Sequence, residues 1–127
     1  MIRSATITPS EYPQRIEVRT HVLAGDTDAN DTAPSPHDYF DTALATCKSL
    51  TAHWYAKRNG IPLERVETEV ERDASPERAG TYKLRTVVRF FGALTDAQRA
   101  ALYRAIGACP ISRLMTTTTV EIEQVEG

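Results

Sequence analysis

No run of apolar residues in this chain approaches the ~20 that a membrane-spanning helix needs, so no membrane partner is expected. The opening stretch "MIRSATITPSEYPQR" carries no apolar block of the secretory kind, which makes a cytoplasmic location the expectation. Positive charge is not in excess. Lys and Arg total 15 against 17 Asp and Glu, and the signs are interspersed, so there is no basic footprint for nucleic acid. No phosphate-cradling glycine loop and no nucleophile elbow occur. Of the three histidines, His21 and His53 are neither paired nor spaced with cysteines as zinc ligands are, and neither a metal nor a bound cofactor is expected. Repeats and low-complexity segments are absent as well. Cysteine is scarce too, and here the scarcity is informative: the two are Cys47 and Cys109. In a reducing compartment a thiol pair is more often reactive than structural.

What is present suits one globular domain over residues 1–127. At this length a chain can bury a core without disulfides or metals. "IRSATIT" and "RIEVRTHVL" read as two strands. In the second, Ile16, Val18, Thr20 and Val22 alternate with Glu17, Arg19 and His21. "AGDTDANDTAPSP" is small, polar and turn-rich, hence a loop. A long helix follows. Ser35 is a good N-cap, Pro36 suits the first helical position, and Asp38 completes a capping box. Asn59 and Gly60 supply a left-handed stop before Pro62. Phe40, Leu44, Cys47, Thr51 and Trp54, widened by Ala43 and Leu50, form the expected inward stripe.

"ERVETEVERD" and "TYKLRTVVRFFG", joined by "ASPERAG", make an antiparallel hairpin with an acidic outer face. Thr95 and Gln98 begin a second helix with a capping box, and Leu94 takes the staple position. Leu102, Ala105, Ile106 and Cys109 share its apolar stripe, and Pro110 stops it. "TTTTVEIEQVE" closes the chain as a β-branched alternating strand. The order β-β-α-β-β-α-β points to an α+β fold, with the long helix on antiparallel sheet.

Each cysteine is thus expected on an inward helix face, where two readings stand. Free cysteines commonly serve as small core hydrophobes. Two inward thiols could also meet, and a reactive thiol needs its thiolate stabilised against an ordinary pKa near 8.5. Cys47 is mid-helix, so its own helix offers no N-terminal amides. Lys48 projects about 100° away around the helix and is a poor partner for it. Arg15, Arg19 and Arg113 are the candidate cations, as permanent multidentate charges. His37 lies roughly 15 Å of helix away from Cys47 and could reach a thiol only in another subunit.

The text "PSPHDYFDTALATCKSLTAHWYAKRNGIPLERVETEV", together with "LTDAQRAAL" and "ACPISRLM" with its Cys-Pro pair, resembles the OsmC/Ohr family over nearly the whole chain. "PSPHDY" is similar to a side branch of that family. The resemblance implies an intertwined homodimer with two long helices at its centre. It also implies thiol peroxidase chemistry on organic hydroperoxides, reset by an external dithiol reductant. By position, Cys47 matches the peroxidatic cysteine and Cys109 the resolving one. The family's activating arginine corresponds best to Arg15 and next to Arg19. Its glutamate ahead of the first cysteine is replaced by His37, with Asp38 beside it. An alternative implied by that replacement is a small-molecule binding protein that kept the fold without efficient peroxidase activity.

Overall fold

The protein is described as a computed structural model covering residues 1–127. Its contacts gather into two units, Met1–Thr42 and Ala43–Gly127. The first unit is an antiparallel meander of β1 (Ile2–Thr6), β2 (Gln14–Val18) and β3 (His21–Gly25). "RIEVRTHVL" is therefore two strands, not one. Val18 pairs with His21 across a two-residue turn, in which Arg19 takes a left-handed φ of 54°. Reversing the chain there exchanges the faces. Leu23 pairs with Ile16, while Val22, expected beside Ile16, pairs with Glu17 on the other side. Alternation continues unbroken through so short a turn, so the pattern alone conceals it.

The polar loop after β3 is ordered by Asp26, which is 5% exposed. Its carboxylate accepts hydrogen bonds from the Thr27 amide, the Asn30 amide group, and the Thr32 amide and hydroxyl. The Thr32 hydroxyl is the main cause holding the Asp26 carboxyl below its ordinary value.

The long helix α1 spans Pro36–Arg58. Its capping box is complete: the Asp38 amide donates to Ser35 Oγ at 3.2 Å and the Ser35 amide to the Asp38 carboxylate at 2.9 Å. At the far end Gly60 has φ 62°, and the Ile61 amide donates to the Ala56 carbonyl at 2.9 Å, a Schellman stop. The Tyr39 hydroxyl, donating to the Ala24 carbonyl, fastens the helix start to β3.

In the second unit α1 lies on the hairpin of β4 (Leu63–Asp73) and β5 (Lys83–Gly92), with a 3₁₀ turn at Glu77–Ala79 between them. Val66, Thr68 and Val70 pair with Phe90, Val88 and Thr86, and Ser49 Oγ meets Thr68 Oγ1 at 2.8 Å. The acidic outer face is answered by arginines, Glu69 by Arg89 at 3.0 Å and Glu71 by Arg85 at 3.7 Å. Helix α2 (Asp96–Gly107) starts at the reciprocal Thr95–Gln98 capping box. Ala52 and Ala56 of α1 form the buried core with Leu102 and Ile106 of α2, and Tyr55, Val66, Val88, Phe90 and Leu94 pack around it.

Three expectations are corrected. The stripe of α1 that the chain covers is Leu44, Lys48, Ala52 and Ala56, whereas Phe40, Leu50 and Trp54 are about half exposed. The helix carries two apolar stripes, and the one with alanines lets neighbouring segments approach closely. Pro110 does more than stop α2: it opens a third helix, α3 (Pro110–Thr117), with Cys109 as its N-cap. The closing strand is absent as well. Residues 118–127 pair with no strand, and Val120, Ile122 and Val125 are exposed. Alternation gives a segment two faces, but a strand also needs a partner beside it, and residues 118–127 pair with no edge of either sheet. The observed order is β-β-β-α-β-β-α-α, a mixed α+β architecture with antiparallel sheets. No helix is long and apolar enough to cross a membrane.

Candidate active site

The first turn of a helix leaves backbone N–H groups without intrahelical partners. In α3 the first position is Pro110, which has no N–H, so the unpaired donors begin at Ile111. The Ile111 amide donates to Cys47 Sγ at 3.5 Å, and the Ser112 amide donates to Cys109 Sγ at 3.4 Å. The Arg113 amide returns to the Cys109 carbonyl at 3.1 Å. Both sulfurs therefore share the electropositive start of one helix, which supplies the amides that mid-helix Cys47 lacks in α1. This signal was hidden in "CPIS": a good N1 proline after a residue whose side chain can accept a hydrogen bond.

The thiols are free and unequal. Cys109 is 0% exposed, while Cys47 is half-buried and lies 4.0 Å from the Thr51 hydroxyl. Burial is the main cause pushing the Cys109 thiol up from its ordinary value of 9.0, opposed by the Ser112 amide and the Lys48 charge. The neighbouring Cys47 thiol acts in the same direction as burial. Because the folded value is raised, the unfolded chain ionises first. Stability that Cys109 contributes is fully present below pH 9.0 and is lost as pH rises from there through the folded value. Denaturation midpoints at pH 8 and pH 10 should differ for the wild type and differ less for Cys109→Ser. Equal pH sensitivity in both would count against this assignment.

Cys47 opens on an apolar groove of about 790 Å³. Leu50, Trp54 and Tyr55 of α1 line one side, and Ala105, Ala108 and Ile111 the other. The exposed stripe of α1 thus lines the cavity, together with Cys47. Such a volume accepts a small organic molecule, and apolar walls select for alkyl or aryl character.

The other residues singled out from the sequence have their own surroundings. Asp38 is held in the capping box, and His37 is exposed in the same first turn of α1. Arg15, on β2 of the first unit, is exposed and pairs with Glu17 at 3.2 Å. Arg19 sits in the β2–β3 turn, and Arg113 is exposed on α3. Lys48, set aside as a partner for Cys47, is 8% exposed and donates from Nζ to the Ile106 carbonyl at 3.0 Å. The rotation that carries it away from Cys47 brings its charge to bear on Cys109. Its place at four-residue spacing with Leu44, Ala52 and Ala56 was the available sign of burial.

The family model for OsmC-like proteins matches residues 25–124. An OsmC-like protein from Mycoplasma pneumoniae superposes with a TM-score of 0.75 at 14% identity, covering 92% of this chain and 86% of that one. An organic hydroperoxide resistance protein OsmC from Legionella pneumophila, also described as a predicted redox protein, gives 0.65 at 20% identity, with coverage of 92% and 88%. The organic hydroperoxide resistance protein OhrB of Bacillus subtilis gives 0.60 at 17% identity, with coverage of 92% and 90%. No curated protein matches the chain by sequence. At these identities the structural likeness is one of fold, and the family model spans most of the sequence, both cysteines included. The chain belongs to the OsmC-like family.

Proposed function

We propose that this protein is a thiol peroxidase that reduces organic hydroperoxides through a Cys47 sulfenic acid resolved by Cys109. The observation that carries the reading is a pair of free thiols that each receive an amide hydrogen bond from the first turn of α3, one of them open to an apolar groove. Cys47 thiolate attacks the terminal oxygen of the hydroperoxide. The O–O bond breaks, the alkoxide takes up a proton and leaves as alcohol, and Cys47 becomes a sulfenic acid. Cys109 then gives up its proton, and its sulfur attacks the sulfenic sulfur. The S–O bond breaks, water leaves, and a Cys47–Cys109 disulfide remains. An external dithiol returns the pair to thiols and is itself oxidised to a disulfide. The Ile111 amide stabilises charge on Cys47 Sγ, and the groove walls favour an alkyl or aryl peroxide over hydrogen peroxide.

The same reading includes a homodimer. Leu50, Trp54, Val120, Ile122 and Val125 are exposed apolar side chains. The alternating segment that contains the last three could pair with a strand edge of a second copy. Sedimentation at micromolar concentration tests this, and a monomer would sink it. The family resemblance further offers Arg15, with His37 and Asp38, as groups that activate Cys47. Arg15→Ala should slow thiol oxidation by roughly 10–100-fold if its guanidinium stabilises the thiolate. An unchanged rate would remove Arg15 from the mechanism.

The deciding experiment is intact-mass spectrometry before and after one equivalent of cumene hydroperoxide. Loss of two hydrogens, mapped to a Cys47–Cys109 peptide, is the expected result. An unchanged mass would refute the peroxidase and leave the groove as a binding site for an apolar small molecule.

A further inference from the structure

We propose that Lys48 is a positioning residue of this site: its buried ammonium, seated on the Ile106 carbonyl, holds the negative charge that Cys109 carries whenever its sulfur acts as nucleophile or leaving group. The functional consequence rests on the two-cysteine cycle proposed above. The charge pairing itself does not.

A lysine among Leu44, Ala52 and Ala56 occupies a place where an uncharged side chain would ordinarily sit. Lys48 has given up most of its hydration, at 8% exposure, and its hydrogen-bond acceptor is a single neutral carbonyl at 3.0 Å. No carboxylate pairs with it. An ammonium has three donors, and a buried cation calls for a counter-charge. The Ile106 carbonyl belongs to the last turn of α2, where the helix carries partial negative charge, which accounts for the docking point. What remains is the anion that this cation is placed to meet. The Cys109 amide donates to that same Ile106 carbonyl at 3.3 Å, so the ammonium and Cys109 meet at one acceptor, and the ionisable groups acting on Cys109 are Lys48 and Cys47, both from α1. From α3 it receives the Ser112 amide. The one positive charge among them is that of Lys48.

Cys109 needs such a charge twice in the cycle. When it attacks the Cys47 sulfenic acid, its thiol must shed a proton from a site that is 0% exposed. When a dithiol reductant enters by the groove, the accessible sulfur of the disulfide is that of Cys47. The reductant's thiolate bonds to Cys47 Sγ and the Cys47–Cys109 bond breaks. The electron pair passes to Cys109, which leaves as thiolate and is later reprotonated. A leaving thiol of lower pKa departs faster. Lys48 therefore favours both the closing and the opening of the disulfide, and the permanently buried sulfur becomes the one that carries transient charge.

The test isolates Cys109 as the sole thiol. Thiolate absorbance near 240 nm is titrated in Cys47→Ser, in Cys47→Ser with Lys48→Met, and in Cys47→Ser with Lys48→Arg. The Met variant should titrate about one pH unit higher, roughly tenfold less thiolate at a fixed pH below the midpoint. The Arg variant should return towards the parent. Coincident midpoints for all three overturn the proposal. Should Lys48→Met fail to fold, Lys48→Gln provides the neutral comparison. With Cys47 restored, conversion of the sulfenic acid to the disulfide should slow about tenfold in the neutral variant and recover with arginine. The titration uses no peroxide. A wild type that forms no disulfide with cumene hydroperoxide thus refutes the peroxidase reading alone, while unchanged midpoints refute the role of Lys48.

Discussion

Cys47→Ser should abolish disulfide formation. After one equivalent of cumene hydroperoxide the variant keeps its mass, while the wild type loses two hydrogens. The reason lies in which sulfur the oxidant can reach. Cys109 is fully buried with its proton held in place, and Cys47 faces the groove with the Ile111 amide on its sulfur. A serine hydroxyl at position 47 would keep the hydrogen bond yet cannot be oxidised to a sulfenic acid. Turnover should fall by at least about three orders of magnitude, the scale of losing a catalytic nucleophile. Cys109→Ser should behave differently. It consumes one equivalent of peroxide, accumulates a Cys47 sulfenic acid that a dimedone-type probe traps, and then drifts to sulfinic acid with excess oxidant. If Cys47→Ser consumed peroxide as fast as the wild type, the two assignments would have to be exchanged or abandoned.

Gly92→Ala should be the most damaging single-methyl change, costing about 4 kcal/mol of stability. Gly92 ends β5 with φ 144°, a conformation that side chains with a Cβ rarely adopt. A Cβ there would stand 2.3 Å from the Pro62 carbonyl oxygen and 3.2 Å from the Glu64 amide, both backbone atoms that no rotamer change can clear. The register irregularity between Leu63 and Arg65 is the other half of this close approach. Pushing it apart would draw Leu63 and Val66 of β4 away from the core of Ala52, Ala56, Leu102 and Ile106. Thermal denaturation should show a fall in Tm of more than 10 °C, from the few degrees expected per kcal/mol in a domain of this size. Gly80→Ala is the control. Its φ is 96° but nothing lies within 4 Å of the added Cβ, so strain alone acts there and the loss should be smaller. Equal losses at the two positions would refute the steric argument.

Most of the secondary structure was legible because it is fixed by residues near one another in sequence. Ser35, Pro36 and Asp38 open α1, and Asn59 and Gly60 close it, through hydrogen bonds spanning only a few residues. The Thr95–Gln98 box does the same for α2, and the alternating valines of β4 and β5 determine which face of the hairpin meets α1. The β2–β3 turn was not legible, since Arg19 is no turn-former and the alternation runs straight through it. Nor was α3, because Pro110 after an apolar stripe signals the end of one helix as well as the start of another.

Local signals alone place the start and end of α1, the hairpin, the capping of α2, and Cys47 in the middle of the long helix. Long-range packing settles which stripe of α1 is covered, that Lys48 is buried against α2, that Cys109 caps α3, and that both sulfurs receive amides from α3. Periodicity reports how apolar each face of a helix is. It carries no information on which face a distant segment will cover, because that depends on the fit between surfaces brought together by folding. For the same reason Cys47 and Cys109, far apart along the chain, become a chemical pair only once α1 and α3 have met.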